Sequence, residues 1–231
     1  VVNYQKQGTI GVIDQSGLAS LYLELPQGGI GNSIRFDRGG QMFIADYAGH
    51  VVYCFNGTLD TLVHEPGMNQ PNDIALSGNG LVYASDPNWG EKTGNLWMIK
   101  DEQATLIEDS MGTTNGIELS LDQTKLFVNE SVQRNVWVYD LNEEGIPTNK
   151  TLFHHFEKGG MDGMKVHPVL GDLFIARYNT GTVVQLNAEG EVVRSYDLAG
   201  AKPTNLVFSR DSKYIYVTMQ DRGAIERIQL Y

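Results

Sequence analysis

The chain has one cysteine, Cys54, in 231 residues, so no internal disulfide can form. Its place in an apolar run marks it as an ordinary core thiol. No apolar stretch approaches the ~18 residues that read as a membrane helix. With 41% hydrophobic and 19% charged residues the chain is expected to be soluble and globular. Positive charge is scarce: 17 Lys and Arg against 28 Asp and Glu give a formal net charge of −11. Nucleic acid and anionic membrane both demand a basic surface, so neither is expected as a partner. No linker or low-complexity stretch interrupts the chain, and a single domain over residues 1–231 is expected. Sequons at Asn56, Asn129 and Asn149 are common by chance, and any signal peptide would precede Val1. The compartment, whether cytoplasm, periplasm or exterior, is therefore left open, as is the oligomeric state.

What the chain does have is an internal repeat. Short apolar cores begin at Ile34, Ile74, Ile117, Met164 and Leu206, spaced by 40, 43, 47 and 42 residues. After each comes a turn (Asp37 to Gly40, Ser77 to Gly80, Ser120 to Thr124, His167 to Asp172, Ser209 to Lys213) and a more apolar second strand: QMFIAD, LVYASD, KLFVNE, DLFIAR, YIYVTM. Third strands follow as HVVYCF, NLWMIK, NVWVYD, TVVQLN and AIERIQ, with weaker fourth strands near Thr61 to His64, Ala104 to Glu108, Lys150 to His154 and Val192 to Tyr196. Runs of about five residues rich in Val, Ile, Tyr and Phe between Gly, Asp, Asn and Ser are strand and turn signals. Four strands per period of roughly 40 to 50 residues is the propeller pattern. The reading is an all-β, six-bladed β-propeller of four-stranded antiparallel blades whose first blade is incomplete at the N terminus. Val1 to Tyr4 and Thr9 to Ile13 align with second and third strands, and the inner strand of that blade is expected before Val1, its key position about eleven residues upstream.

Two residues before each inner-strand core stand Asn32, Asn72, Asn115, Asp162 and, in the last unit, Thr204. Inner strands of a propeller run along the channel, so one offset is one geometric class, expected to converge at one mouth. Asn72, Asn115 and Asp162 offer oxygens from three successive blades, suited to a hard divalent cation such as calcium, which takes six to eight oxygen ligands. No His or Cys holds an equivalent position, which disfavours zinc. Alone, each such residue reads as a strand-entry turn residue. Asn32 follows Gly28, Gly29 and Gly31 and is the weakest candidate.

The segments QPNDIALSGNGLVYASDP, TTNGIELSLDQTKLFVNES, GMDGMKVHPVLGDLFIARYNTGTVVQL and KPTNLVFSRDSKYIYVT resemble successive blades of the senescence marker protein/gluconolactonase/luciferin-regenerating enzyme family of six-bladed propellers. The resemblance runs over essentially the whole chain. It implies one channel-bound divalent metal ion, calcium first, with Zn2+, Mg2+ or Mn2+ as other ions such sites take. By motif the ligands are Asn72, Asn115 and Asp162, with Asn72 facing substrate in some branches. The family's Glu ligand would fall in the strand before Val1. Where the regucalcin branch carries Arg two residues before its first Asn ligand, this chain has Gln70, which argues against that branch's own substrate. Glu91, in the loop DPNWGEKTGN, is a candidate for contacting substrate hydroxyls, against the plainer reading of a solvated loop carboxylate.

The activity implied by the resemblance is metal-dependent hydrolysis of a small-molecule lactone or ester, a gluconolactonase-like reaction of the carboxylic ester hydrolase class (EC 3.1.1 type). A cation would polarise the carbonyl, and Asp162 is the candidate catalytic residue, assisting water. Two other readings stay open. One is a phosphotriesterase of the diisopropylfluorophosphatase kind, with Asp as nucleophile; the other is a noncatalytic binding propeller, since propellers host both.

Overall fold

The computed structural model describes residues 1–230, the Gln27 side chain excepted. The chain divides into two compact units, Val1–Met111 and Gly112–Tyr231.

In the first unit, β1 (Thr9–Ile13) and β2 (Ala19–Glu24) form a two-stranded sheet. Two four-stranded meanders follow. One is β3 (Gly31–Phe36), β4 (Met42–Asp46), β5 (Val51–Phe55) and β6 (Leu59–His64); the other is β7 (Ile74–Leu76), β8 (Val82–Asn88), β9 (Thr93–Lys100) and β10 (Gln103–Met111). The second unit repeats the plan with β11 (Thr114–Leu119), β12 (Lys125–Glu130), β13 (Asn135–Leu141) and β14 (Pro147–His155), then with β15 (Met164–Val166), β16 (Leu173–Arg177), β17 (Thr182–Leu186) and β18 (Val192–Asp197). It ends in a three-stranded sheet of β19 (Pro203–Phe208), β20 (Tyr214–Met219) and β21 (Ala224–Gln229). Every named strand pair is antiparallel.

The meander follows from local chemistry. The turn after each inner strand is closed by its own first side chain. Asp37 accepts from the Gln41 N–H at 2.8 Å, Ser77 from Leu81 at 2.8 Å, Ser120 from Lys125 at 2.9 Å and Ser209 from Tyr214 at 3.0 Å. Short polar side chains that bond nearby backbone favour such turns over continued strand. In the fourth meander a histidine does this work, His167 Nδ1 accepting from Val169 and Leu170.

The sheets stack face to face, and the core lies between them. Ala45, Val52 and Val63 meet Ile74, Val82, Ala84 and Ile99 in the first unit; Phe127 and Val136 meet Met164, Leu173 and Ile175 in the second. Each fully buried Ile, Leu or Val contributes about 1.5–3 kcal/mol. Second strands carry both faces into these interfaces: all five residues of β16 are buried. Fourth strands form the outer edge, β18 being exposed at every position but Tyr196. That gradient is why second strands read as the most apolar segments and fourth strands as the weakest.

One expectation changes at the N terminus. Val1 to Tyr4 is not a full strand; it makes one isolated bridge, Val2 to Ile10, because Asn3 and Gln5 adopt left-handed φ of 55° and 62°. Among the described residues, five sheets of three or four strands are blades, and the β1–β2 pair is a two-stranded sheet where the incomplete first blade was expected.

Candidate functional site

The recurring offset has a structural cause that the sequence pattern does not show. At each of its five occurrences the inner strand carries an extra residue against its neighbour. The register shifts between Gly31 and Ser33, between Thr114 and Ile117, and between Pro203 and Asn205. In the shorter strands the same geometry appears in hydrogen bonds. Asn72 N–H donates to Ser85 O (2.9 Å) while Ser85 N–H returns to Asp73 O (3.0 Å); Asp162 N–H donates to Ala176 O (3.0 Å) while Ala176 N–H returns to Gly163 O (3.0 Å). Two residues opposite one is a β-bulge, the device by which strands re-aim a side chain beside functional sites. Asn32, Asn72, Asn115, Asp162 and Thr204 are the first residues of the five bulges.

The loops entering four of the five bulges are clipped by a charged residue at or near the end of the second strand. Asp46 accepts from Ile30 N–H at 2.7 Å, and Asp86 accepts from Gln70 N–H at 2.6 Å and from Trp97 Nε1 at 2.9 Å. Glu130 accepts from Gly112 N–H at 2.8 Å. In the fourth meander the sign is reversed: Arg177 donates to Gly160 O at 3.2 Å and to Lys158 O, and its guanidinium lies 3.4 Å from the Phe156 ring centroid. Burial pulls the Arg177 pKa down to about 10. These charged ends of FIAD, YASD, FVNE and FIAR are positioning clips, a role sequence reading did not assign them.

Inner strands are joined by ion pairs within each unit. Arg35 on β3 meets Asp73 at 2.7 Å with side-chain exposures of 8% and 2%, and Lys165 on β15 meets Glu118 on β11 at 2.6 Å.

The second unit brings two of the expected site residues together. Asn115 Nδ2 donates to Met161 O (3.2 Å), one residue before Asp162, which fixes the amide's orientation. Its Oδ1 is buried with no hydrogen-bond partner. A Cβ on Gly116 would run into the Asp162 carbonyl oxygen and come within 2.6 Å of Asn129 Nδ2, so the Asn-Gly pair allows the two inner strands to approach. Gly163 gives the same clearance in the following sheet, since a Cβ there would strike the Asn205 side chain. Asp162 itself is half-buried, its carbonyl accepting from Asn129 Nδ2 at 2.7 Å. A hard divalent cation suits this donor set: a fixed amide oxygen left without a proton donor, next to the backbone of a carboxylate residue. Among the described residues no cluster of three or more His, Cys, Asp or Glu is placed to hold a metal; the oxygens here are chiefly amide.

Asn72 and Glu91 belong to the first unit. Asn72 is buried at the foot of β7. Glu91 is exposed at the tip of the β8–β9 hairpin, its N–H held by Asn88 Oδ1 at 3.1 Å, in keeping with a solvated loop residue. Trp89 beside it is also exposed, whereas Met111 is buried. Three of the five histidines serve structure: His50 Nδ1 pairs with Met68 O, His154 Nδ1 with Gly190 O, and His167 is buried among Phe174 and Phe208. Asn129 is fully buried, so its sequon cannot be glycosylated in the folded chain.

The stacked meanders with bulged inner strands define a β-propeller. The same fold is found in a gluconolactonase structure from Xanthomonas campestris, with a TM-score of 0.84, 16% identity, and coverage of 96% of this chain and 79% of that one. Residues 6–221 match the SMP-30/Gluconolactonase/LRE-like region, and the chain belongs to that family. A gluconolactonase of Zymomonas mobilis is 35% identical over 128 residues, 46% of this chain and 36% of the relative. Diisopropyl-fluorophosphatase of Loligo vulgaris is 24% identical over 228 residues, 87% of this chain and 72% of the relative. The matches span between about a third and about half of the length of the first curated relatives, 36% and 52%. Among the described residues no helix is long and apolar enough to cross a membrane.

Proposed function

We propose that this chain is the hydrolytic propeller of a lactone hydrolase that uses a divalent cation, with Asn115 and Asp162 holding the ion. The observation that carries the reading is the buried Asn115 Oδ1, oriented through its own amide nitrogen and left without a donor. A buried acceptor left unpaired costs about 1–3 kcal/mol, which a cation bound at this oxygen would offset. The family resemblance adds Asn72 as a ligand or substrate-facing residue and Glu91 as a substrate contact, each tested by its own substitution. Calcium is the ion that amide and carboxylate oxygens suit best.

The cation, when bound, polarises the lactone carbonyl. The chain's own residues supply the rest. Asn115 presents a neutral oxygen that adds no charge, and Asp162 takes the proton of the attacking water as its oxygen adds to the carbonyl carbon. The ring C–O bond then breaks, and the proton passes to the departing ring oxygen, leaving a hydroxy acid. The short inner-strand contacts around Gly116 and Gly163 hold the Asp162 backbone in place during that exchange.

The long alignment with diisopropyl-fluorophosphatase favours a second reading, phosphotriester hydrolysis on the same residues. Aldonolactones, aliphatic lactones and diisopropyl fluorophosphate, each assayed with calcium and with chelator, separate the two. Calcium-dependent turnover of a lactone supports the first reading and of the fluorophosphate alone the second. Turnover of none, with no thermal stabilisation by calcium, leaves a noncatalytic propeller.

A further inference from the structure

Asn129 stands opposite the bulge formed by Asn115 and Gly116. The equivalent residues facing the other bulges are Ala45, Ser85, Ala176 and Thr218. Where these carry a hydroxyl it serves the sheet's own bulge: Ser85 Oγ accepts from Asp73 N–H and Thr218 Oγ1 from Asn205 N–H, both at 3.0 Å. Asn129 does something different. Its Nδ2 reaches past the Cβ-less Gly116 into the next sheet and donates to Asp162 O at 2.7 Å. The residue is 0% exposed, and its Oδ1 has no partner. An amide in this place therefore carries an unpaired acceptor that Ala, Ser or Thr would not, and the bond to Asp162 is what it gains.

We propose that Asn129 is a positioning residue for Asp162. The backbone of Asp162 and Gly163 is anchored by three bonds: Asp162 N–H to Ala176 O, Gly163 N–H to Thr204 O at 2.7 Å, and Asp162 O from Asn129. The first two are main-chain bonds that any sequence could make. The third depends on a side chain and sets how far the Asp162 backbone stands from Asn115. Hydrogen-bond partners one step behind a metal ligand typically govern 10–100-fold in metal affinity. This inference rests on the cation reading of the site and names the residue that tunes it.

The test is calcium titration calorimetry on the chain and on three variants, each first checked in chelator for a cooperative thermal transition. Asn129→Ala removes the donor, and Asn129→Leu removes it while keeping the volume filled should the alanine variant fail to fold. Tyr196→Phe is the control for general loosening: it deletes a buried bond to Gln185 Oε1 elsewhere in the same unit. The expected result is calcium affinity weakened at least about ten-fold in the Asn129 variants and unchanged in Tyr196→Phe. Calcium affinity of Asn129→Leu within two-fold of the parent overturns the proposal, as does equal weakening in Tyr196→Phe. If the parent chain itself binds no calcium, the cation reading fails and takes this inference with it.

Discussion

Replacing Asn115 by leucine separates stability from ion binding in a way that the geometry specifies. In the absence of metal, three effects compete. Removing the buried, unpartnered Oδ1 relieves about 1–3 kcal/mol; losing the 3.2 Å bond to Met161 O costs about 1 kcal/mol; and the stranded Met161 carbonyl costs about 1–3 kcal/mol. The first and last effects oppose each other, and the net change is expected within about 1–2 kcal/mol of zero. With calcium at one hundred times its dissociation constant the parent chain gains about 2.7 kcal/mol that the variant does not. For a chain of this size each kcal/mol moves Tm by about 2–4 °C, so the parent rises by about 5–10 °C on calcium addition and the variant by less than about 2 °C. Differential scanning fluorimetry in chelator and in calcium reads both numbers. A variant that loses more than about 3 kcal/mol in chelator would show that the Asn115 oxygen is structurally satisfied. A variant that keeps the full calcium shift would remove Asn115 from the ion site.

Asp162→Asn is expected to fold and to lose about 10²–10⁴-fold in turnover at saturating calcium, measured with the best lactone; unchanged turnover would take it out of proton transfer. Arg35→Met removes the cation paired with the buried Asp73 carboxylate and is expected to cost about 3–5 kcal/mol in urea unfolding. The Arg35→Met, Asp73→Leu pair should recover most of that loss, and failure to recover would locate the cost in packing. Burial holds the His167 and His154 imidazoles below their ordinary pKa of 6.5. The unfolded chain therefore binds protons that the folded chain refuses, so stability is complete above about pH 6.5 and falls as pH drops below it, toward the lowered folded values. Protonating His167 Nδ1 would also break its bonds from Val169 and Leu170. His167→Gln should flatten the slope of unfolding free energy against pH below about 6.5.

The repeat was legible in the linear chain because it is written in local chemistry. Strand runs, polar turn starters and the fourth-strand positions near Thr61, Ala104, Lys150 and Val192 fall where the structure has them, since each turn is closed by a side chain within five residues. The offset of Asn72, Asn115 and Asp162 was also legible, but as a recurrence without a cause. Only tertiary structure shows the bulge behind it, because an extra residue in one strand is defined by the partner it faces. The same holds for the clips by Asp46, Asp86, Glu130 and Arg177, for the Arg35–Asp73 pair, and for Asn129, which in the sequence looked like a sequon. The one sequence signal of the clips is a charged residue toward the end of an apolar strand, and that signal is silent about which backbone group it meets. Periodicity and turn chemistry act over a few residues and fix the meanders. The fit of Asn115 beside Asp162 depends on groups up to 46 residues apart, and only folding brings them within a hydrogen bond.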